Sequence, residues 1–345
     1  MGEVNRRRFL ERTTLGLAAP PLGMAANSKN NARAASNHYR FKLGMYLPEL
    51  GMQFDEALAK AKEIGAEYVT FNTLPGETPL AQMSDQEVDR MGERVAKHNL
   101  IIGMLHCGNP FKQIHLADLE LKTLEENPEY RKERNDLTRS MQIAARLGVR
   151  AVNAFTFAWP GEYSAGKPTW PMRWLTRGGV ISNLDMEKLV RAFSGPVEAA
   201  ERHGVYLVLS MMPWNYTNTT GNFRRLAERL GSRYLKVHWG PADNLNSGEA
   251  DVATAGFLNV RPYLYSLHLK DLHVTDGLQL KFEYRPLGRG DVDYLTILRS
   301  LRNHRCDVIL GVATHFQTPT GSREEAMRIN YSNLKEMIRQ VEADG

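Results

Sequence analysis

Lys62-Glu63-Ile64-Gly65-Ala66-Glu67-Tyr68-Val69 ends a helical pattern on a glycine and opens an extended apolar run, and Ala145-Arg146-Leu147-Gly148-Val149-Arg150-Ala151-Val152 repeats the same order. Glycine accepts the left-handed backbone that stops a helix, and the β-branched and aromatic residues that follow suit a pleated strand. Outward from these two segments, apolar spacing predicts strands at 41–47, 68–72, 100–106, 150–156, 205–211, 234–239, 264–270 and 307–313. Between and after them it predicts helices at 54–64, 85–98, 131–147, 185–203, 220–230, 291–303 and 322–342, with a short one near 249–257.

Eight strand-then-helix units read most simply as parallel strands joined by crossover helices. Such a sheet needs both faces covered and closes naturally as a (β/α)8 TIM barrel. An open doubly wound sheet is the alternative, but Leu47-Pro48-Glu49-Leu50 follows the first strand where a glycine-rich phosphate loop would be expected. Residues 41–345 are therefore assigned to one barrel domain, with chemistry expected at the C-terminal ends of its strands.

Residues 1–40 read as an export signal and linker. Asn5-Arg6-Arg7-Arg8-Phe9-Leu10 follows the twin-arginine pattern, a weakly apolar stretch runs from Thr13 to Ala26, and Gly23-Met24-Ala25 and Ala32-Arg33-Ala34 offer small residues for cleavage. The expectation is a periplasmic or otherwise exported protein. Removing residues 1–25, with their four Arg and two Glu, would take the formal charge from +5 to +3. No basic run or interleaved basic and aromatic pattern supports nucleic-acid binding, and no further stretch is long and apolar enough to span a bilayer. Cys107 and Cys306 lie far apart in sequence and are expected to be thiols rather than a disulfide.

Three segments carry a resemblance to a known family: Leu43-Gly44-Met45-Tyr46 at the start of the barrel, His268-Leu269-Lys270-Asp271 on the seventh strand, and Pro286-Leu287-Gly288-Arg289-Gly290-Asp291-Val292-Asp293-Tyr294 after it. In this order the chain resembles the xylose isomerase-like barrel family of sugar isomerases and epimerases. The resemblance implies a divalent metal held by a Glu, an Asp, a His and a second Glu on strands five to eight. Here those places carry Ser210, Gly240, His268 and Ala313, so only the histidine is kept.

One imidazole does not hold a catalytic cation, and three readings follow. His106, His238, His268 and His315 could form a relocated site, which would suit Zn²⁺ better than Mn²⁺ or Mg²⁺. His238 would sit one layer deeper than the others. Alternatively, His268, Lys270 and Asp271 could move protons without a metal, with Lys236, Asp243 and Glu49 also near strand ends. The third reading keeps carbohydrate binding and loses catalysis. Substrate contacts are expected from His106, Asp243 and the aromatic side chains Trp159, Trp214, Tyr216 and Trp239. His268 is the leading metal candidate and His315 the second. The expected partner is a free or oxidised sugar or a glycoside, transformed by proton transfer.

Overall fold

The computed structural model describes residues 39–344 apart from 74, 109, 110, 113, 160–162, 165, 166, 170–178, 180 and 278–280. The Arg6-Arg7 motif and the cleavage sites lie outside the described residues.

Among these residues, eight parallel strands close into a barrel: β1 (Lys42–Tyr46), β2 (Tyr68–Phe71), β3 (Ile101–His106), β4 (Ala151–Phe155), β5 (Tyr206–Ser210), β6 (Leu235–Trp239), β7 (Leu264–Leu269) and β8 (Ile309–Val312). Each strand pairs with its sequence neighbour, and β1 pairs with β8 to close the ring. Burial on both faces explains the near-continuous apolar runs; all five residues of Ala151–Phe155 are buried. Closure needs close backbone approach between β1 and β8. At Gly44 a Cβ would fall within 3.0 Å of Ile309 Cγ2.

The covering layer comprises α1 (Phe54–Ile64), α2 (Asp85–Lys97), α3 (Pro128–Arg146), α4 (Asn183–His203), α5 (Thr220–Leu230), α6 (Pro241–Asn246), α7 (Phe257–Val260), α8 (Tyr294–Asn303) and α9 (Arg323–Ala343). Local chemistry sets their ends. Ser84 and Glu87 form a reciprocal capping box on α2, and the side chains of Ser182, Thr219 and Ser322 cap α4, α5 and α9. Gly65, Gly204 and Gly231 end α1, α4 and α5 in the left-handed region.

The TIM-barrel expectation matches this architecture, with differences in detail. Helix α3 starts three residues before the expected position because Asn127 caps it and Pro128 takes the first turn. The region expected to hold a short helix near 249–257 contains a π turn, Val252–Gly256, running into α7, and α6 follows β6 at a place where no helix is expected. The larger omission lies between β7 and α8, where Asp271–Asp276 and Lys281–Arg285 pair as an antiparallel hairpin. Its core-facing and exposed residues alternate over too short a span to stand out from a polar loop. Cys107 and Cys306 are free, partly buried thiols.

Candidate functional site

Strand alternation decides what the end of β7 presents. Ser266, His268 and Lys270 share the face toward the barrel axis, while Leu267, Leu269 and Asp271 face the other way. A cavity of about 360 Å³ opens at the C-terminal ends of the strands. His106 reaches it from the end of β3, Ser210 from β5, His238 from β6, His268 from β7 and His315 from beyond β8. Glu49 joins from the turn after β1, Asp243 from the first turn of α6, Tyr284 from the hairpin, and Lys112 from the segment after β3.

The four histidines form an arc. Their ring centroids lie 6.1 Å apart from His106 to His238, 5.2 Å from His238 to His268 and 6.0 Å from His268 to His315. Tyr46 extends the arc beyond His106 at 4.9 Å, and Tyr284 stacks on His315 at 4.9 Å. His238 is the deeper member, with Nδ1 2.7 Å from Ser266 Oγ. Ser210 Oγ accepts a hydrogen bond from Asn153 Nδ2 at 2.8 Å, and that amide also donates to Val208 O.

Gly240 shapes the centre of this arrangement. A Cβ there would come within 3.0 Å of Asp243 Oδ2, so the Asp243 carboxylate fills the volume a side chain at 240 would take. Asp243 Oδ1 accepts from Lys270 Nζ at 2.9 Å, with both side chains 5% exposed. The other oxygen, Oδ2, lies 3.7 Å from His268 Nδ1, too far for a hydrogen bond. Asp243 Oδ2, His268 Nδ1, His106 Nε2 and His315 Nε2 are all buried without a hydrogen-bond partner. Buried polar atoms are ordinarily paired, so this concentration of unpaired ones around one cavity marks a place that accepts a ligand.

The electrostatics are set mainly by burial. It pushes all four histidines well below the usual imidazole range, with neighbouring charges, Lys270 among them for His238, His268 and His315, adding to the effect. Neutral rings are therefore the resting state. Burial raises Glu49 to about 7, against the opposing pull of Lys270, Arg323 and the Thr314 N–H. It lowers Lys112 to about 7, where the ammonium lies 3.8 Å over the Phe155 ring. Burial alone would also lower Lys270, but Asp243, Tyr284 and Glu49 outweigh it and hold that amine above its ordinary value.

The donor set does not fit a divalent cation. Ser210 is already bonded to Asn153, the space beside Gly240 holds Asp243, and Ala313 is a fully buried methyl. A lysine ammonium lies against the one carboxylate next to His268. Among the described residues no group of three or more His, Cys, Asp or Glu side chains is arranged to hold a metal ion. The relocated four-histidine reading thus gains the convergence of its rings but not a ligand geometry for Zn²⁺, Mn²⁺ or Mg²⁺.

Five expected site residues lie elsewhere: Asp271, Trp239, Trp159, Tyr216 and Lys236, the last donating to Pro262 O at 3.4 Å. Asp271 turns away from the cavity and accepts the backbone N–H groups of Leu272, Gly288 and Gly290, each at 2.9 Å. Trp239 is fully buried among the helices beside Phe257, and its Nε1 donates to Asn244 Oδ1 at 2.9 Å. It follows His238 in the strand, so alternation alone sends it to the opposite face. Trp159 stacks on Tyr216 with centroids 4.0 Å apart, outside the cavity lining. Trp214 does line it, packed against Phe155. Lys112 and Tyr284 were not foreseen, and Glu49 was noted only for its position near a strand end. The usable signal was topological, since residues following strand ends face the mouth of a barrel.

The sequence profile described as Xylose isomerase-like TIM barrel matches residues 58–337, and the chain belongs to that family. No curated protein matches it significantly by sequence. Solved structures share the fold at low identity. D-psicose 3-epimerase from Clostridium cellulolyticum H10 superposes with a TM-score of 0.61 at 16% identity, covering 87% of this chain and 99% of that one. A xylose isomerase-like TIM barrel protein from Mycobacterium smegmatis, in complex with magnesium, gives 0.59 at 17% identity over 88% and 97%. The probable 3-DHS dehydratase of petrobactin synthesis from Bacillus anthracis gives 0.62 at 16% identity over 86% and 99%. Among the described residues, no helix is long and apolar enough to cross a membrane.

Proposed function

We propose that this cavity interconverts a small hydroxy-carbonyl carbohydrate by proton transfer, as an isomerase or epimerase. The observation that carries the reading is the set of unpaired polar atoms on Asp243, His268, His106 and His315 around one buried lysine. Glu49, near 7, is matched to neutral pH as a general base that removes the proton from the carbon beside the carbonyl. The carbon's electron pair moves to the carbonyl oxygen, and the Lys270 ammonium with a neutral imidazole stabilises the enediolate. Return of the Glu49 proton to the neighbouring carbon, with the hydroxyl proton of the enediolate passing to the former carbonyl oxygen, isomerises the sugar. Epimerisation takes a second acid on the far side of the enediolate, which gives a different proton to the first carbon while Glu49 releases its own to solvent.

Phe155 and Trp214, with the Lys112 ammonium over both rings, give the cavity a mixed apolar and cationic wall that suits a sugar, and the expected export favours an unphosphorylated substrate. The likeness to a D-psicose 3-epimerase supports the carbohydrate class through the fold. A second reading, a sugar-binding barrel without catalysis, draws on the Ser210, Gly240 and Ala313 positions. Deuterium uptake separates the two. The mature protein is incubated in D2O with free ketoses, aldoses and uronic acids, and exchange at the carbon beside the carbonyl is followed by NMR. Exchange that is lost in Glu49→Gln and His268→Ala supports the enzyme. Saturable sugar binding without exchange on any sugar supports the binder.

A further inference from the structure

Resting on that reading, we propose that Lys270 Nζ is a tethered cation occupying the electrophile position of the cavity, that Asp243 holds it there, and that the protein works without a divalent metal. Five observations converge on this. Asp243 occupies the space that Gly240 leaves open, so its carboxylate is delivered from α6 rather than from β6. One of its oxygens binds the lysine and the other remains unpaired beside the unpaired Nδ1 of His268. The main chain on both sides is pinned: Tyr294 Oη donates to Lys270 O, and Ser247 Oγ donates to Asp243 O at 2.7 Å. Trp239 Nε1 holds Asn244, whose Nδ2 donates to Asn218 O, so α6 is anchored from two sides. Both charged side chains nonetheless border the cavity. An ammonium has three N–H donors, and Asp243 takes one of them, which leaves donors for a substrate oxygen.

Such a site exchanges a removable ion for a fixed one. The same carboxylate and imidazole that would bind a metal are covered by a positive charge that cannot dissociate. Asp243 is in this account a positioning residue, and Lys270 touches the reacting oxygen.

The test is Mn²⁺ titration of the mature protein without sugar, followed by electron paramagnetic resonance. Wild type is expected to show no stoichiometric sub-millimolar site, and Lys270→Arg, which keeps the charge, to behave alike. Lys270→Met frees Asp243 and His268 and should bind Mn²⁺ at least about tenfold more tightly than wild type. A wild-type protein that takes up one Mn²⁺ per chain, or a folded Lys270→Met with no gain, overturns the proposal. If Lys270→Met does not fold, the wild-type and Lys270→Arg titrations still decide it. Deuterium exchange by wild type should also resist EDTA, and its loss on chelation overturns the proposal as well. Absence of exchange on every sugar instead defeats the isomerase reading, while the Mn²⁺ titration continues to decide the identity of the cation.

Discussion

Asp243 and Asp271 stand on either side of Lys270, the first an ion-pair partner of its side chain and the second its neighbour in sequence. Both are buried, and each presses against a glycine, Gly240 for one and Gly290 for the other, at which a Cβ would come within 3.0 Å of a carboxylate oxygen. Their bonding differs. Asp271 is surrounded by main-chain N–H groups from Leu272, Gly288 and Gly290, with Val292 at 3.4 Å. Asp243 has one oxygen on an ammonium and the other without a hydrogen bond, 3.7 Å from His268 Nδ1. Burial and a glycine gap are common to both carboxylates. Completeness of hydrogen bonding separates them.

The contrast is most easily broken at Asp271. Its alanine variant strands several buried N–H groups that no second substitution can satisfy, so a loss of about 4 kcal/mol in urea unfolding is expected. A near wild-type midpoint would show that the loop re-pairs on its own. At the other aspartate the partner is a side chain and can be removed with it. The double variant Lys270→Met, Asp243→Asn should stay within about 1 kcal/mol of wild type, because a buried ion pair can be replaced by neutral groups at little net cost. Deuterium exchange on the sugar substrate should nonetheless fall by about 100-fold in that variant, the usual scale for removing one oxyanion-stabilising group. Stability and turnover falling together would erase the distinction.

Glu49 sharpens the comparison through pH. Its carboxyl ordinarily titrates at 4.5, and burial raises it to about 7 in the folded protein. The folded state therefore holds this proton more tightly. Its contribution to stability is full below 4.5 and is lost as pH rises through about 7. Glu49→Gln should remove that slope and, above pH 8, be more stable than wild type by about 2 kcal/mol, allowing for partial solvent screening. Urea midpoints measured across that pH range check it, and parallel curves for the two proteins would contradict the assigned titration. The smallest effect is expected at Gly240→Ala, where one methyl displaces Asp243 Oδ2. A stability loss of about 1 kcal/mol with roughly tenfold slower exchange would fit, while unchanged kinetics would free Asp243 from any positioning role.

The barrel was legible because its signals are local and repeated: a glycine stop after α1, α4 and α5, and apolar runs long enough for β4 and β5. His268 and Lys270 were legible because they lie two apart on a strand end. Trp239 was misplaced although the same alternation, applied to its neighbour His238, puts it outside the barrel. Asp271 was misread because its partners, Gly288 and Gly290, come from a loop whose path the sequence does not state. Lys112 and Tyr284 reach the cavity from irregular or hairpin segments, where spacing carries no facing information. The use of Asp243 could be suspected from its position, but its occupation of the Gly240 volume is a fact of three-dimensional packing.

The hairpin of Asp271–Asp276 and Lys281–Arg285 leaves the barrel after β7 and returns before α8 without joining the ring of strands. It nevertheless supplies Leu272 and Tyr284 to the cavity wall, while the lysine, the histidines and Asp243 come from the barrel strands and the turns that leave them. Two residues of the cavity wall, Leu272 and Tyr284, therefore sit on a piece of chain that the closed ring of strands does not need. Under the proposed function, substitutions along the hairpin would reshape one side of the cavity while the pair of Asp243 and Lys270 stays in place, so substrate range could drift without dismantling the barrel.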